Sequence, residues 1–256
     1  MKKIAVIGAG VAGLASAIRL QHEGYEVEIY EKEAIPGGKM HQIKKDGYTF
    51  DLGPSIVMMP QIYREVFELA GRNPDDYIPM KRLDPMYTAF FGTEEKDKFN
   101  VSSDLVQLME SLEGISDEDA KGFLSYLQDI YGRFMVAKDH FLQRPFRNAL
   151  DFYNPFMIKQ ALKLKTFDSA NHSIGKFVKD KRLQQMLSFQ TLYIGVSPVN
   201  GPSLYTIIPM IELLYGVWFI EGGMYTMAKS MERLFLELGG KVHYNSSVEK
   251  ILIEDK

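Results

Sequence analysis

Gly8, Gly10 and Gly13 follow a short branched apolar run, Lys3-Ile4-Ala5-Val6-Ile7, and that order of residue types suits the holding of a dinucleotide. Gly8 permits a sharp exit from a strand, Gly10 lets the backbone approach a pyrophosphate, and Gly13 lets a helix pack closely on the strand. The N–H groups opening that helix then face the phosphates, at the positive end of the helix dipole. Val11, Leu14, Ala15 and Ile18 recur at helical spacing, so a helix with one face on a sheet is predicted after the glycines. Gly24 ends it, and residues 25–31 alternate as a second strand. Its last residue, Glu31, is an acid at the position that hydrogen-bonds a ribose 2′-hydroxyl. This opening serves the ADP half of a cofactor, and by itself it does not separate nicotinamide from flavin.

Other chemistries are bounded by composition. The 256 residues include no cysteine, which removes disulfides, thiolate metal sites, cysteine nucleophiles and electron relay through a cysteine pair; it fits a reducing cytoplasm. The five histidines, His22, His41, His140, His172 and His243, show no metal-ligand spacing, and no metal is expected. A net charge of −3 gives no electrostatic case for nucleic acid. With 46% hydrophobic and 25% charged residues, the chain has the composition of a folded protein. The apolar run near the start is too short for a secretory signal. Residues 205–220 are interrupted by Pro209, Glu212 and Gly216, so membrane contact is expected to be peripheral. The basic run 159–165 reads as a solvated helix face or a contact with anionic lipid.

Around this opening the remaining elements follow from periodicity. Residues 40–43 and 48–50 form a hairpin about a turn containing Asp46-Gly47, and Asp51-Leu52-Gly53-Pro54-Ser55 bends away from it. A helix is predicted over 61–70 with Ile62, Val66 and Leu69 on one face. Strands at 87–91 and 98–101 flank a charged turn, 92–97. Leu105, Leu108, Met109 and Leu112 mark one helix, and Ser116 with Asp119 suits a capping box for the next, through Phe123, Leu124, Leu127, Ile130 and Phe134. The stretch 105–186 therefore reads as a mostly helical insertion. Glu221-Gly222-Gly223 precedes a helix with Met224, Met227, Met231, Leu234 and Leu238 inward, closed by Gly239-Gly240. Strands are expected at 241–244 and 248–253, the second wanting an antiparallel neighbour where the chain stops at 254–256. The division expected is 1–85 for the first part of a cofactor domain, 86–205 for a substrate and membrane-facing domain, and 206–256 for an incomplete return to the cofactor domain.

Further motifs narrow the cofactor. Pro36-Gly37-Gly38-Lys39 resembles the extended fingerprint of the FAD-containing amine oxidase and phytoene desaturase superfamily, where Gly-Gly-Arg is usual; Lys39 keeps the charge and loses the two-pronged guanidinium. Residues 51–60 (DLGPSIVMMP), 189–195 (FQTLYIG), 201–210 (GPSLYTIIPM) and 216–224 (GVWFIEGGM) resemble the bacterial carotenoid desaturase family of phytoene desaturase type, closest to its branch acting on C30 precursors. The resemblance covers the whole chain and corresponds to the N-terminal half of such enzymes. It implies an α/β fold, a Rossmann-like FAD-binding domain carrying a mostly helical substrate-domain insertion. It also implies FAD as cofactor, a long-chain isoprenoid substrate, and a place at the inner face of the cell membrane. Desaturation removes a hydride from one carbon to the flavin and a proton from its neighbour.

Carried over by motif, Gly8, Gly10, Gly13 and Glu31 hold the ADP half. Gly38 and Lys39 lie by the pyrophosphate, Gly53, Pro54 and Ser55 nearer the flavin, and Val248 presents backbone to the adenine. Gly222 and Gly223 resemble a second glycine pair beside the cofactor, and a helix-entry turn explains them nearly as well. For acid or base work the sequence offers only Arg147 and Asp151, for which surface ion pairing is the competing role. The alternatives are a carotenoid oxidase, a C40 phytoene desaturase, a non-catalytic FAD-binding fragment that self-associates or pairs with a C-terminal half, and a nicotinamide-dependent dehydrogenase.

Overall fold

The branched run after Lys2 forms β1 (Lys3–Ile7) and lies parallel to β2 (Glu26–Tyr30), in register from Lys3 opposite Glu26 to Ile7 opposite Tyr30. Between them runs α1 (Val11–His22). The computed structural model describes residues 2–94, 98–142, 144–164 and 168–253. Part of the turn expected at 92–97, the end of the basic run at Lys165 and the stop at 254–256 lie outside the described residues.

Two compact units result: Met1–Leu83 with Val217–Lys256, and Asp84–Gly216. In the first unit, β9 (Lys241–His243) joins the free side of β2 in parallel, giving the order β1-β2-β9. Three parallel strands with a helical crossover are the α/β arrangement that the glycine spacing implies. Leu14, Ala17 and Ile18 of α1 are buried together with Met227, Met231, Leu234 and Phe235 of α10 (Tyr225–Glu237) and Val27 and Ile29 of β2. Each fully buried side chain of this kind contributes about 1.5–3 kcal/mol.

The same unit carries the hairpin β3 (His41–Lys45) and β4 (Tyr48–Leu52). Asp46 and Gly47 both take positive φ, 51° and 81°, so the turn closes in two residues and the strands run longer than periodicity indicated. Helix α2 (Pro60–Glu68) buries Val66 and Phe67 while Ile62 and Leu69 are exposed. The expected face is thus rotated, because Phe67 packs on the Tyr77 ring at 5.0 Å. β5 (Met80–Arg82) pairs antiparallel with β8 (Trp218–Ile220). The strand expected at 248–253 does not form. Asn245 and Ser246 donate their N–H groups to the carbonyls of Glu33 and Glu31, after which Ile251, Leu252 and Ile253 are exposed. A strand needs a ladder partner for its N–H and C=O groups, and no strand among the described residues pairs with this segment.

The second unit begins with β6 (Tyr87–Phe90) antiparallel to β7 (Lys98–Val101). Helices α3 (Leu105–Glu113), α4 (Asp117–Ala137), α5 (Ala149–Phe152), α6 (Pro155–Lys163), α7 (Ala170–Gly175), α8 (Lys181–Ser188) and α9 (Ile207–Tyr215) follow. Ser116 caps α4 by accepting from the Asp119 N–H at 3.2 Å. The Asp119 carboxylate leaves the capping box incomplete on its side. It turns inward and accepts the N–H groups of Lys179 and Asp180 at 2.5 and 2.7 Å. Leu105 and Leu124, placed inward by pattern, are exposed. Residues 206–216, grouped by sequence with the cofactor domain, fall in this unit, because α9 packs on α4. Among the described residues no helix is long and apolar enough to cross a membrane.

Candidate functional site

Each glycine of the turn is required for its own reason: backbone conformation at Gly8, close packing at Gly13 and an open approach at Gly10. Gly8, at φ 94°, donates its N–H to the Tyr30 carbonyl at 2.8 Å, locking the exit of β1 against β2. A Cβ on Gly13 would lie 2.1 Å from the Gly8 oxygen, which is the close helix-on-strand packing that this position requires. Gly10 caps α1 with extended backbone and no side-chain acceptor for the first-turn N–H groups. A Cβ there would project into open space.

The Gly37-Gly38 turn closes against this loop. Gly37 donates its N–H to the Ala9 carbonyl at 2.8 Å, and a Cβ on Gly38 would come within 3.3 Å of the Gly10 Cα. Glu31, at the end of β2, is 6% exposed. Its Oε2 accepts from the Ala9 N–H at 2.6 Å and its Oε1 from the Glu33 N–H at 2.9 Å. Each oxygen has a second lone pair, so the acid is oriented and keeps acceptor capacity.

Gly8, Gly10, Glu31, Gly38, Lys39 and Val248 line one cleft of about 490 Å³. Gly13 does not line it and packs against the Gly8 backbone instead. Tyr30, Lys32, Ser246 and Ser247 also line it, and sequence reasoning missed them; the one signal was their position at strand ends beside the acid. Tyr30 stacks on His243 with ring centroids 4.7 Å apart, and both hydrogen-bond Glu28. The His243 and Tyr30 hydrogen bonds hold the Glu28 carboxyl below its ordinary range. A backbone-lined cradle at a helix N-terminus, an oriented acid at the next strand's end and a nearby ammonium are the donor set for an ADP moiety, and the residues present fit it.

Gly53, Pro54 and Ser55 do not line this cleft. Gly53 takes φ 92°, and a Cβ there would lie 2.2 Å from the Lys39 oxygen, so the segment runs against the backbone of Lys39. Just before it, Asp51 accepts from the Met224 N–H at 2.7 Å and from Gln42 Nε2 at 3.0 Å. A Cβ on Gly223 would lie 2.2 Å from Asp51 Oδ2. The second glycine pair is therefore tied to the Asp51-to-Ser55 segment by one carboxylate, a link that spacing along the chain did not show.

In the helical unit, Asp151 Oδ2 accepts from the N–H groups of Arg147 and Asn148 at 2.9 and 3.0 Å. It completes the capping box of α5, and the Asn148 and Arg147 backbone bonds hold its carboxyl below the usual range. That is the environment of a helix cap; nothing in it readies the group to take up a proton near neutrality. Among the described residues there is no cluster of three or more His, Asp or Glu that could hold a metal.

A family profile described as flavin containing amine oxidoreductase matches residues 11–256. The chain is 47% identical over 253 residues to the 4,4'-diapophytoene desaturase (4,4'-diaponeurosporene-forming) of Staphylococcus haemolyticus strain JCSC1435, covering 99% of this chain and 50% of that protein. It is 46% identical over 254 residues to the protein of the same description from Staphylococcus aureus strain Newman, with 99% and 50% covered. The chain thus spans about half the length of these relatives. Among solved structures, an oxidoreductase from Methanosarcina mazei shares the fold at a TM-score of 0.60 and 22% identity, over 100% of this chain and 54% of that one.

Proposed function

The chain belongs to the flavin-containing amine oxidoreductase family, and from that premise we propose that it is the FAD-holding part of a carotenoid desaturase acting on a C30 polyene precursor. The observation that carries the reading is the convergence of Gly8, Gly10, Glu31, Gly38, Lys39 and Val248 on one cleft. Identity of 46–47% to desaturases named for 4,4'-diapophytoene supports the substrate class.

Bound there, FAD supplies the hydride acceptor that dehydrogenation of a hydrocarbon needs. The chain's own residues orient it. Gly8, Gly10 and Gly38 bring backbone to the pyrophosphate, with Gly13 keeping the helix end close. Lys39 places an ammonium beside the phosphates, Glu31 accepts from a ribose hydroxyl, and Val248 offers backbone to the adenine. Gly53, Pro54 and Ser55, with the Gly222-Gly223 pair linked to them through Asp51, lie toward the flavin.

A hydrocarbon substrate dissolves in lipid, and the surface of the helical unit supports peripheral contact with the inner face of a membrane. Phe146, Leu150, Phe152, Tyr153, Phe156 and Leu162 are exposed in a stretch that also exposes Arg144, Arg147, Lys159 and Lys163. Apolar side chains beside cations are what an anionic lipid surface takes up.

Titration of the purified chain with FAD, followed by quenching of flavin fluorescence, tests the reading. Saturable binding that Gly10→Val abolishes is expected, because a branched side chain would fill the cleft. Absence of FAD binding together with binding of NAD would overturn it. The mass of the product in cells making C30 and C40 precursors separates the C30 desaturase from its C40 counterpart.

A further inference from the structure

Helix α9 reads Ile-Ile-Pro-Met-Ile-Glu-Leu-Leu-Tyr, and its one carboxylate, Glu212, points inward at 1% exposure. Gln190 Nε2, from the turn Phe189–Ile194, donates to Glu212 Oε2 at 3.1 Å and lies 3.2 Å from the Tyr87 hydroxyl. The Tyr193 hydroxyl of the same turn is near enough to the carboxyl to favour its charged form. Two oxygens in this cluster are buried without a partner, Glu212 Oε1 and Gln190 Oε1. Both are acceptors, so the cluster is short of a donor. A buried acceptor without a donor costs about 1–3 kcal/mol.

Among the described residues, the groups that face Glu212 supply no positive charge. From β6 comes Tyr87, and from the turn come Gln190 and Tyr193; Tyr126 of α4 interacts electrostatically with Tyr87. The rest of the cavity wall is apolar, with Met86, Val101, Leu108, Phe123 and Met186 among its residues. An ionised carboxylate here would have burial against it and no cation for it. A proton on Glu212 removes the charge and turns one of the two orphan acceptors into a donor, which the cluster lacks.

We propose that Glu212 is held as a neutral carboxylic acid paired with the Gln190 carboxamide, and that this pair is a lock on the packing of β6, the 189–194 turn and α9 that weakens as pH rises above the ordinary glutamate range. The lock is independent of the FAD reading, since all its members lie in the unit Asp84–Gly216. Burial raises the Glu212 carboxyl above its ordinary range, against the lowering effect of Gln190 and Tyr193. The folded state therefore binds this proton more tightly than the unfolded state does. Stability is greatest below the ordinary Glu value of about 4.3 and falls as pH rises from there, levelling off once the folded value is passed.

Side-chain ¹³C NMR of the full chain labelled at glutamate Cδ reads the state directly. One Cδ resonance that keeps its protonated position well above the titration of the others is expected, and it disappears in Glu212→Gln. Melting from pH 5 to 9 gives the second reading. Between the ordinary glutamate value and the higher folded value of Glu212, the wild-type Tm is expected to drop by roughly 3 °C per pH unit relative to Glu212→Gln, and to level off above it. A glutamate set that titrates entirely in the ordinary acid range overturns the proposal, as do parallel melting profiles for the two proteins. Should the variant fail to fold, the wild-type spectrum alone decides.

Discussion

At the scale of single residues, the candidate cofactor cleft depends on a carboxylate that is positioned by backbone donors of its own chain. Glu31 accepts from Ala9 and Glu33, one donor in the glycine turn and one beyond β2, so the acid and the glycine turn are set together. Glu31→Gln keeps the shape, but its amide nitrogen cannot accept, and one of those N–H groups is left without its partner. The expected result is FAD binding weaker by about 10- to 100-fold, equivalent to roughly 1.4–2.7 kcal/mol, read by fluorescence titration. Unchanged affinity in the glutamine variant would show that Glu31 is not part of the cofactor site. The residues on this side of the cleft were legible in the sequence because each need is local: a turn, a close approach, an acid at a strand end. The tie from Asp51 to Met224 was not, because the partners are distant in the chain and neither half announces the other.

At the scale of elements, the same division between local and distant information recurs. The strand–helix–strand opening, the Asp46-Gly47 hairpin and α10 follow from patterns that need no partner, and they formed close to the expected bounds. Residues 248–253 have a strand pattern, yet hydrogen bonding between strands is a property of two segments, and the pattern specified only one. Likewise Ser116 and Asp119 have capping-box spacing, but the inward turn of Asp119 depends on where residues 179 and 180 lie. Two backbone N–H groups ahead of α8 converge on that one carboxylate, tying the start of α4 to the start of α8. Asp119→Ala is therefore expected to cost about 2–4 kcal/mol, more than the roughly 1 kcal/mol for removing the cap in Ser116→Ala. Thermal or urea unfolding of the two variants checks this, and an equal loss in both would mean that Asp119 acts only as part of the cap.

At the scale of the molecule, the chain leaves the unit that carries the glycine cleft after Leu83 and returns to it at Val217, so the helical unit is an insertion with a surface of its own. That surface is uneven. Among its aromatic rings, Phe146 and Phe152 lie 5.6 Å apart and Phe152 and Tyr153 5.2 Å apart, yet all three remain exposed. Exposed rings in contact with one another, flanked by Arg144, Arg147, Lys159 and Lys163, lose water more favourably at a lipid headgroup boundary than in solution. Each cation adds about 1 kcal/mol near an anionic surface, an attraction confined to a Debye length of about 10 Å at 0.1 M salt and 3 Å at 1 M. Co-sedimentation of the chain with phosphatidylglycerol-containing vesicles is therefore expected at low salt, and it should weaken in 1 M salt or with phosphatidylcholine alone. Phe152→Ser together with Phe156→Ser should reduce it at every salt concentration while leaving the melting temperature within a few degrees, since both side chains are on the surface. Equal recovery with charged and uncharged vesicles, or none with either, would remove membrane contact from the proposed function.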